Sequence, residues 1–303
     1  MKLTNREAGI LDYIINKKPA IKTVASALNI KKSNLSNYVK KLQKWRMISV
    51  TKQGQNKILN LSDLLWLGFL GARNKIHHIK FKDILVGYTP FLLSFVKDKQ
   101  NFKVSELDLP QATAKRVLKK LRSQGIVYSP LKGIYLLREE AYPLADFCRN
   151  TIMQIYSAEA EAELKNITQA YFSFKSSKKL EVIFVTDEEA HPKSYWPTSY
   201  EVFHKYGLQL ISAGKHYYTN TKPGLEEVII HTLALNKDAR SIMYVATLMI
   251  KNKFGYVKLL GKKQHFDLAD DFIKNLFDFV NTKGVKTFEG FPSWKEVRDV
   301  AYG

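Results

Sequence analysis

Residues 31–61, KKSNLSNYVKKLQKWRMISVTKQGQNKILNL, contain the pattern that decides the fold of the N-terminal part of this chain. Apolar residues recur at helical spacing from Leu35 to Trp45, so a basic, polar helix can bury one stripe and present the other face to a partner. Two short apolar segments follow, residues 47–50 and 58–61, separated by a polar turn that contains Gly54. The pattern therefore predicts a helix followed by a basic β-hairpin.

The residues before this stretch predict two more helices. Thr4 and Glu7 have the spacing of a capping box, which starts a helix that extends to about Asn16 before Lys17-Lys18-Pro19 ends it. A short helix over residues 22–28 follows. Three helices and a hairpin in about 60 residues are the pattern of a winged helix-turn-helix domain, whose third helix enters the major groove of DNA.

A weak internal repeat indicates a second domain of the same kind. Residues 38–42, YVKKL, match residues 117–121, VLKKL, at an offset of 79 residues. Pro90 is expected to bend or break the first helix of this second winged helix. The predicted elements are helices over residues 83–97, 104–107 and 111–124 and a shorter hairpin over residues 128–135.

Residues 63–82 are predicted to link the two repeats. Their first half is apolar, which favours a connecting helix or a dimer surface, and their second half is basic. His77 and His78 lie in the basic half, but adjacent side chains point in different directions and no carboxylate lies at metal-ligand spacing. We expect a polar linker that faces phosphate here, and neither a metal site nor a catalytic site.

The charge of the chain is concentrated in the half that contains the two repeats. Residues 1–150 hold 28 lysines and arginines against 10 aspartates and glutamates, a net charge of +18. Residues 151–303 hold 20 against 18, a net charge of +2. Such an excess on one half predicts that the N-terminal half binds nucleic acid.

Polar side chains of the two predicted recognition helices are the candidate contacts to duplex DNA. Asn34 and Asn37 suit adenine edges, and Arg116 or Lys115 suits guanine edges. Lysines later in each helix are expected at phosphates, namely Lys40, Lys41, Lys119 and Lys120. With the hairpins included, the predicted DNA-binding residues are Lys32, Ser33, Asn34, Ser36, Asn37, Lys40, Lys41, Lys44, Lys52, Gln55, Lys57, Gln111, Thr113, Lys115, Arg116, Lys119, Lys120, Arg122 and Lys132.

The C-terminal half has a different pattern. A long connecting helix is predicted from Glu139 to about Thr168, and a neutral α+β domain follows. Its predicted strands are residues 180–185, 208–211 and 216–219, and its predicted helices are residues 199–206, 223–235, 241–251 and 268–281.

The segment from Lys179 to Asn281 resembles the minimal nucleotidyltransferase-like domains that follow winged helices in archaeal and bacterial regulators, including the AbiEi-type antitoxins. The similarity lies in the strand LEVIFV, the pair LQLIS and KHYYTN, the segment PGLEEVIIHTLAL and the helix SIMYVATLMI. It covers about a third of the chain. The resemblance implies that a toxin is the protein partner and that the bound DNA is the chain's own promoter.

The residues that nucleotidyl transfer requires depart from the family pattern. Active nucleotidyltransferases carry a Gly-Ser followed by paired aspartates, because two carboxylates hold the metal ions that bind the nucleotide phosphates. Here the first strand ends in Thr186-Asp187-Glu188-Glu189, without the Gly-Ser. That acidic turn is the one candidate metal cluster, and we interpret it as a solvated turn. We therefore predict no enzymatic activity, no metal site and no cofactor.

Composition bounds the remaining possibilities. With 45% hydrophobic residues among 303, the chain can form packed cores. The single cysteine, Cys148, excludes an internal disulfide and is expected to be a small core residue. No apolar run approaches the roughly 18 to 20 residues of a membrane helix, and the N-terminus lacks a signal peptide's apolar core. We therefore expect a cytoplasmic protein without membrane contact.

Together these patterns predict an α+β protein with two N-terminal winged helices and a small nucleotidyltransferase-like domain. The predicted limits are 1–62 and 83–138 for the winged helices, 63–82 for the linker, 139–170 for the connecting helix and 171–303 for the last domain. We expect a sequence-specific transcriptional regulator, such as a repressor, that forms a homodimer or binds a protein partner through its C-terminal domain.

Two alternatives remain open from the sequence. One is a DNA-coating or replication-associated protein, because tandem winged helices also occur in plasmid replication initiators; the sequence contains no GxxxxGK[ST] phosphate-binding loop for an ATP-driven initiator. The other is a nucleotidyltransferase that uses winged helices to find its substrate.

Overall fold

The computed structural model describes residues 3–15, 17, 19–174, 180–210, 214–219, 221–255, 259, 266 and 268–302. It is a mixed α/β protein with small antiparallel sheets, consistent with the predicted α+β class. The described residues divide into two compact units, an N-terminal unit up to Ala160 and a C-terminal unit from Glu161 onward.

The N-terminal unit is mainly helical. Its helices are α1 (Asn5–Ile15), α2 (Ile21–Ala27), α3 (Lys32–Lys44), α4 (Asp63–Lys75), α5 (Phe81–Ile84), α6 (Thr89–Val96), α7 (Gln111–Ser123) and α8 (Tyr142–Ala160), with single 3-10 turns at Val104–Glu106 and Glu139–Ala141. Its strands are β1 (Ile48–Gln53), β2 (Asn56–Leu61), β3 (Phe102–Lys103), β4 (Val127–Leu131) and β5 (Ile134–Leu137). Strands β1 and β2 form a hairpin, and the other three form a sheet in the order β3-β5-β4.

The first three helices and the hairpin lie where the sequence predicts them. The predicted capping box is present, since the Thr4 backbone N–H donates to Glu7 Oε2 at 2.7 Å and the Glu7 N–H donates to Thr4 Oγ1 at 3.2 Å. In α3 the stripe of Leu35, Val39 and Leu42 is buried, as its helical spacing predicts.

The repeat predicted from the sequence is also present in the geometry. Helix α7 begins at Gln111, 79 residues after α3 begins at Lys32, and both helices have 13 residues. The buried residues of α7 stand at the same offset from those of α3 and are Ala114, Leu118 and Leu121. Beyond each helix comes a residue with positive φ, Arg46 at 55° and Gly125 at 68°.

The segment predicted as a linker, residues 63–82, contains the 13-residue helix α4. Ser62 caps this helix by accepting a hydrogen bond from the Leu65 N–H at 3.4 Å. Leu65 and Phe69 are buried, whereas Leu64 and Leu67 are each 66% exposed. Its apolar half thus forms a connecting helix with one face in the core and one face in solvent.

The helix predicted over residues 83–97 is broken into α5 and α6. The break lies at residues 85–88, where Gly87 takes a φ of 69°. Pro90 stands in the first turn of α6, a position that needs no backbone N–H donor, so it marks the new start of the helix and does not bend it.

The long helix predicted from Glu139 to Thr168 was wrong at its C-terminal end. Helix α8 ends at Ala160, and β6 (Ile167–Ser173) follows after a turn in which Asn166 has a φ of 49°. Residues 167–173 pair with the next strand, and this long-range pairing overrides the local helical preference of the preceding alanines and glutamates.

The C-terminal unit contains one four-stranded antiparallel sheet in the order β6-β7-β9-β8 and a group of helices. Its remaining elements are β7 (Glu181–Thr186), β8 (Trp196–Pro197), β9 (Lys215–Tyr218), α9 (Leu225–Leu235), α10 (Ala239–Lys251), α11 (Asp270–Asn281), α12 (Trp294–Tyr302) and a 3-10 helix at Ser199–Tyr206. The strand predicted at 208–211 is wrong for 208–210, which are irregular, and Ile211 lies outside the described residues. Helix α12 was not predicted.

Each unit has its own hydrophobic core. In the N-terminal unit, buried hydrophobic residues from α1, α3, α4, α6, α7 and α8 form one continuous cluster, which includes the first and the second repeat. Cys148 of α8 is fully buried, as expected for a small core residue. Within the described parts of the chain, no helix combines the length and the apolar character needed to cross a membrane.

Candidate nucleic-acid interface

Helix α3 presents a continuous polar surface opposite its buried stripe. The side chains on this surface are exposed and are Lys32, Ser33, Asn34, Ser36, Asn37 and Lys40. Among the described residues, these six side chains make no hydrogen bond or ion pair within the protein. They are therefore available to an external partner.

Two other predicted contacts on α3 are held within the N-terminal unit. The ammonium group of Lys41 lies 2.7 Å from Glu7 Oε1, and the Glu7 side chain is only 1% exposed. Lys44 pairs with Glu159 at the end of α8. These lysines neutralise carboxylates of the same unit, so phosphate contact does not account for their positions.

Glu159 receives hydrogen bonds from the last turn of α3 and from the residue after it. Its Oε1 accepts from Trp45 Nε1 at 2.6 Å, while its other oxygen faces Lys44. Partial burial opposes ionisation, but the hydrogen bonds from Lys44 and Trp45 outweigh it and lower the pKa of Glu159. The group is thus ionised at neutral pH. Sequence analysis missed it, because 115 residues separate Glu159 from Lys44.

Helix α7 repeats this division of its polar residues. Lys120 Nζ lies 3.0 Å from Asp83 Oδ1 and also donates to the Asp83 carbonyl at 3.0 Å. Thr113 is half-buried. The exposed predicted residues on this helix are Gln111, Lys115, Arg116, Lys119 and Arg122. None of these five side chains is hydrogen-bonded or ion-paired within the described parts of the chain.

The β1–β2 hairpin places two lysines opposite each other. Lys52 pairs in register with Lys57 across the strands, and both are exposed. Like charges directly opposite each other on one sheet face destabilise a hairpin. Gly54, with a φ of 59°, provides the tight turn between them, and Gln55 is exposed beside it. The hairpin therefore presents a concentrated positive charge that an anionic partner would relieve.

A cleft separates this hairpin from α3. Its volume is about 380 Å³, and α2, α3 and the hairpin line it. Val39 and Val50 give the cleft apolar lining. Lys22 of α2, Lys40 of α3 and Lys57 of β2 add positive charge to it. The helix and the hairpin thus form one cationic surface with a groove between them.

The second hairpin is shorter and carries less charge. Its turn contains Lys132 and Gly133, and Lys132 is exposed. An irregularity in the β4–β5 pairing falls between Tyr128 and Leu131, where the Ser129 hydroxyl hydrogen-bonds the Leu131 and Ile134 carbonyls, both at 2.8 Å. Leu131 at the tip is 66% exposed. In the second repeat, the helix therefore carries more exposed positive charge than the hairpin.

His77 and His78 line a cleft of about 440 Å³, which Asp12, Arg73 and Lys80 also line. His78 Nε2 lies 3.2 Å from the Gln124 carbonyl oxygen, at the end of α7. Within the described ranges, no group of three His, Cys, Asp or Glu side chains is arranged to hold a metal ion.

The acidic turn of the C-terminal unit is solvent-exposed. Asp187, Glu188 and Glu189 are all exposed, and Glu188 Oε1 accepts a hydrogen bond from Asn166 Nδ2 at 2.6 Å. The Thr186 hydroxyl donates to the Glu188 carbonyl at 2.7 Å. These two hydrogen bonds order the turn at the end of β7.

The C-terminal unit also contains buried polar pairs that sequence analysis did not identify. Thr198 Oγ1 lies 2.7 Å from His231 Nδ1, and Ser199 Oγ lies 3.0 Å from Thr232 Oγ1, with all four residues fully buried. Burial lowers the pKa of the nearby His216 to about 4. The two pairs connect the start of the 3-10 helix to α9, and these buried groups offer no open surface to a substrate.

Comparison with protein-family profiles, with curated proteins and with solved structures finds no match to this chain.

Proposed function

We propose that the chain is a sequence-specific, duplex-DNA-binding transcriptional regulator. In this proposal the two repeats are winged helices, α3 and α7 are their recognition helices, and the hairpins are their wings. The C-terminal unit then serves self-association or binds a protein partner. By the resemblance to AbiEi-type antitoxins, that partner would be a toxin and the DNA site would lie in the chain's own promoter.

The observation that carries the proposal is the duplicated helix surface. Two helices of equal length, at one offset, bury equivalent stripes and expose polar faces, and both faces carry cations without a partner among the described residues. A helix of this size fits the major groove of B-form DNA. The excess charge of +18 in residues 1–150 gives the long-range attraction that DNA binding needs.

We divide the predicted contact residues into two classes, according to whether each side chain already has a partner within the protein. We assign base reading to the short polar residues of α3, with Asn34 and Asn37 as the principal side chains. Lys40 and Lys119 are assigned to phosphates, because they are exposed and unpaired among the described residues. Lys41, Lys44 and Lys120 are assigned to holding the helices, because each has a carboxylate partner.

The hairpins complete the proposed interface. The facing lysines of the first wing, Lys52 and Lys57, are proposed to bind the DNA backbone beside the groove that α3 occupies. The second wing, with Lys132 alone at its turn, is proposed to bind less tightly.

A footprint of the full-length protein on its own upstream DNA tests the proposal. We expect a discrete protected segment and an affinity that falls steeply as salt rises, since each neutralised phosphate contributes a log–log slope of about −0.9. Continuous coverage of the DNA would instead identify a coating or replication protein. An upstream region bound no better than unrelated DNA would contradict specific regulation of that promoter.

The nucleotidyltransferase alternative has its own test. We expect the protein to transfer no labelled nucleotide to protein, RNA or small molecules when it is supplied with divalent metal ions and nucleoside triphosphates. Incorporation that disappears in Asp187→Ala but persists in Asp299→Ala, a control on α12, would identify an enzyme and overturn the inactive assignment.

A further inference from the structure

We infer that each protomer reads one asymmetric duplex site, made of two unlike half-sites at a fixed spacing, because α8 holds the two repeats in one compact body. The inference rests on the proposed function and goes beyond it. It specifies how the half-sites of the bound DNA are arranged. It also assigns Gln154 and Glu159 of α8 as positioning residues, which do not themselves contact DNA.

Helix α8 fixes the C-terminal end of the first recognition helix. Gln154 Nε2 donates to the carbonyls of Trp45 and Arg46, both at 2.9 Å. Glu159 accepts from Trp45 Nε1 and pairs with Lys44. Four contacts thus attach three successive residues, Lys44, Trp45 and Arg46, to α8.

The same helix holds the second repeat through its N-terminal half. Asp146 pairs with Lys97, just after α6. Arg149 pairs with Asp98 and donates to the Ser94 carbonyl at 2.9 Å. Because α6 is the first long helix of the second repeat, one rod of 19 residues connects both repeats.

The connection between the repeats is itself packed. Phe69 of α4 lies against Phe147 of α8, with ring centroids 5.8 Å apart. A Cβ atom at Gly68 would lie only 3.1 Å from the Phe147 ring, so α4 and α8 approach closely there. Buried residues of both repeats share one core. An independent rotation of either repeat would therefore expose apolar surface, at a free-energy cost of about 25 cal/mol per Å². The repeats are therefore not tethered modules.

The two recognition helices differ at equivalent positions. Ser36 and Asn37 of α3 correspond to Lys115 and Arg116 of α7, and all four are exposed. Short amides and hydroxyls suit different base edges from long cations. A single protomer therefore reads two unlike half-sites, and the site it occupies has no internal two-fold symmetry.

The experiment changes the DNA and keeps the protein unaltered. Its result therefore cannot arise from the unfolding of a protein variant. The full-length protein selects its best site from a random duplex library, and 5 or 10 base pairs are then inserted between the two footprinted half-sites. We expect both insertions to weaken binding about 100-fold, because simultaneous engagement is lost. Tethered modules would instead tolerate the 10-pair insertion, which restores the helical face after about one turn of DNA. Such tolerance, or a selected site with two-fold symmetry bound by one protomer, would overturn the inference.

The positioning role has a separate readout. The readout is the ratio of the affinities for DNA with the optimal spacing and for DNA with a spacing changed by one base pair. Gln154→Ala should lower this ratio by at least about threefold. Its affinity for an isolated first half-site should stay unchanged. Asn150→Ala, an exposed amide on the same helix, is the matched control and should behave as the unaltered chain. An equal loss at every spacing would overturn the positioning role.

Failure of the inference can be told from failure of the proposed function. Discrete binding that ignores spacing overturns the fixed two-part site and leaves a DNA-binding regulator. A protein that binds all duplexes alike, or none, removes the proposed function and the inference with it.

Discussion

The two repeats of the N-terminal unit have the same backbone frame and different surfaces. Helices α3 and α7 start after residues of nearly equal backbone angles, Lys31 at φ −56° and ψ 137° and Pro110 at φ −52° and ψ 134°. The chain leaves both helices by the same hydrogen bond, from Met47 N–H to the Leu42 carbonyl and from Ile126 N–H to the Leu121 carbonyl, each at 2.9 Å.

Within that frame, one lysine position has the same role in both repeats. Lys41 and Lys120 stand at equivalent places, and each pairs with a carboxylate from the first helix of its own repeat, Glu7 or Asp83. The preceding residues, Lys40 and Lys119, are exposed and unpaired among the described residues. Adjacent lysines of one basic helix thus differ: one is paired with a carboxylate of the same unit and the other is exposed to solvent.

The largest expected difference between the repeats concerns the residue that ends each helix. Trp45 is fully buried, and Trp45→Ala should lower the free energy of unfolding by about 3–5 kcal/mol, through lost packing and loss of the Glu159 hydrogen bond. The equivalent residue, Gln124, is half-buried, and its Oε1 has no hydrogen-bond partner among the described residues. Gln124→Ala should therefore cost less than about 1 kcal/mol.

Urea unfolding of the full-length variants, followed by far-ultraviolet circular dichroism, measures both costs. Equal losses for the two substitutions would contradict this expectation. They would show that the contact with α8 adds no extra stability at Trp45 over that at Gln124.

The next largest effect concerns base reading. Asn37→Ala should lose about 1–3 kcal/mol on the selected site and little on random duplex DNA, as expected for one direct base contact. Asn74→Ala, which removes an exposed amide from α4, is the control and should change neither affinity. A loss that is equal on the two DNAs would place Asn37 on the backbone and contradict the assignment of base reading to α3.

A smaller effect separates the adjacent lysines. Lys119→Ala should weaken specific and random binding alike and reduce the log–log salt slope by about 0.9, the contribution of one phosphate. Lys120→Ala should leave the slope unchanged, because its ammonium group is engaged by Asp83. Lys40→Ala and Lys41→Ala should repeat this contrast in the first repeat. If Lys120→Ala changes the slope as much as Lys119→Ala, the lysine assigned to the fold binds DNA as well.

The elements of the first repeat, and the third helix and hairpin of the second, could be predicted because their signals are local. The apolar stripe of α3, the capping box at Thr4 and the turn at Gly54 each depend on residues within a few positions of one another. The same reasoning gave β7 in the C-terminal unit, whose residues are nearly all buried. It failed at the end of α8, where pairing of residues 167–173 with a later strand decides the structure.

The division of the candidate interface could not be predicted for a related reason. A lysine on a polar helix face has the same local sequence whether it meets solvent or a carboxylate. Glu159 lies 115 residues after Lys44, and Asp83 lies 37 residues before Lys120. Only the contacts that α1, α5 and α8 make with the two helices show which lysines are engaged.

The smallest expected effect tests the shared backbone frame directly. Arg46 and Gly125 occupy equivalent positions after α3 and α7, and both have positive φ, 55° and 68°. Side chains with a Cβ atom pay about 1–2 kcal/mol in this region, whereas glycine adopts it freely. Gly125→Ala should therefore lower the free energy of unfolding by about 1 kcal/mol, since a Cβ atom there would meet open space and the cost is conformational alone.

The converse change completes this test. Arg46→Gly relieves this strain of about 1–2 kcal/mol, but glycine is also more flexible in the unfolded chain by about 0.5–1 kcal/mol, so a net stabilisation of up to about 1 kcal/mol is expected. Thermal or urea unfolding of both variants gives the comparison. Because the two backbone conformations are alike and the two substitutions are opposite exchanges, the two changes in the free energy of unfolding should have opposite signs and a sum near zero. A large loss in Arg46→Gly would instead show that the arginine side chain, and not the backbone, makes the first repeat different at this position.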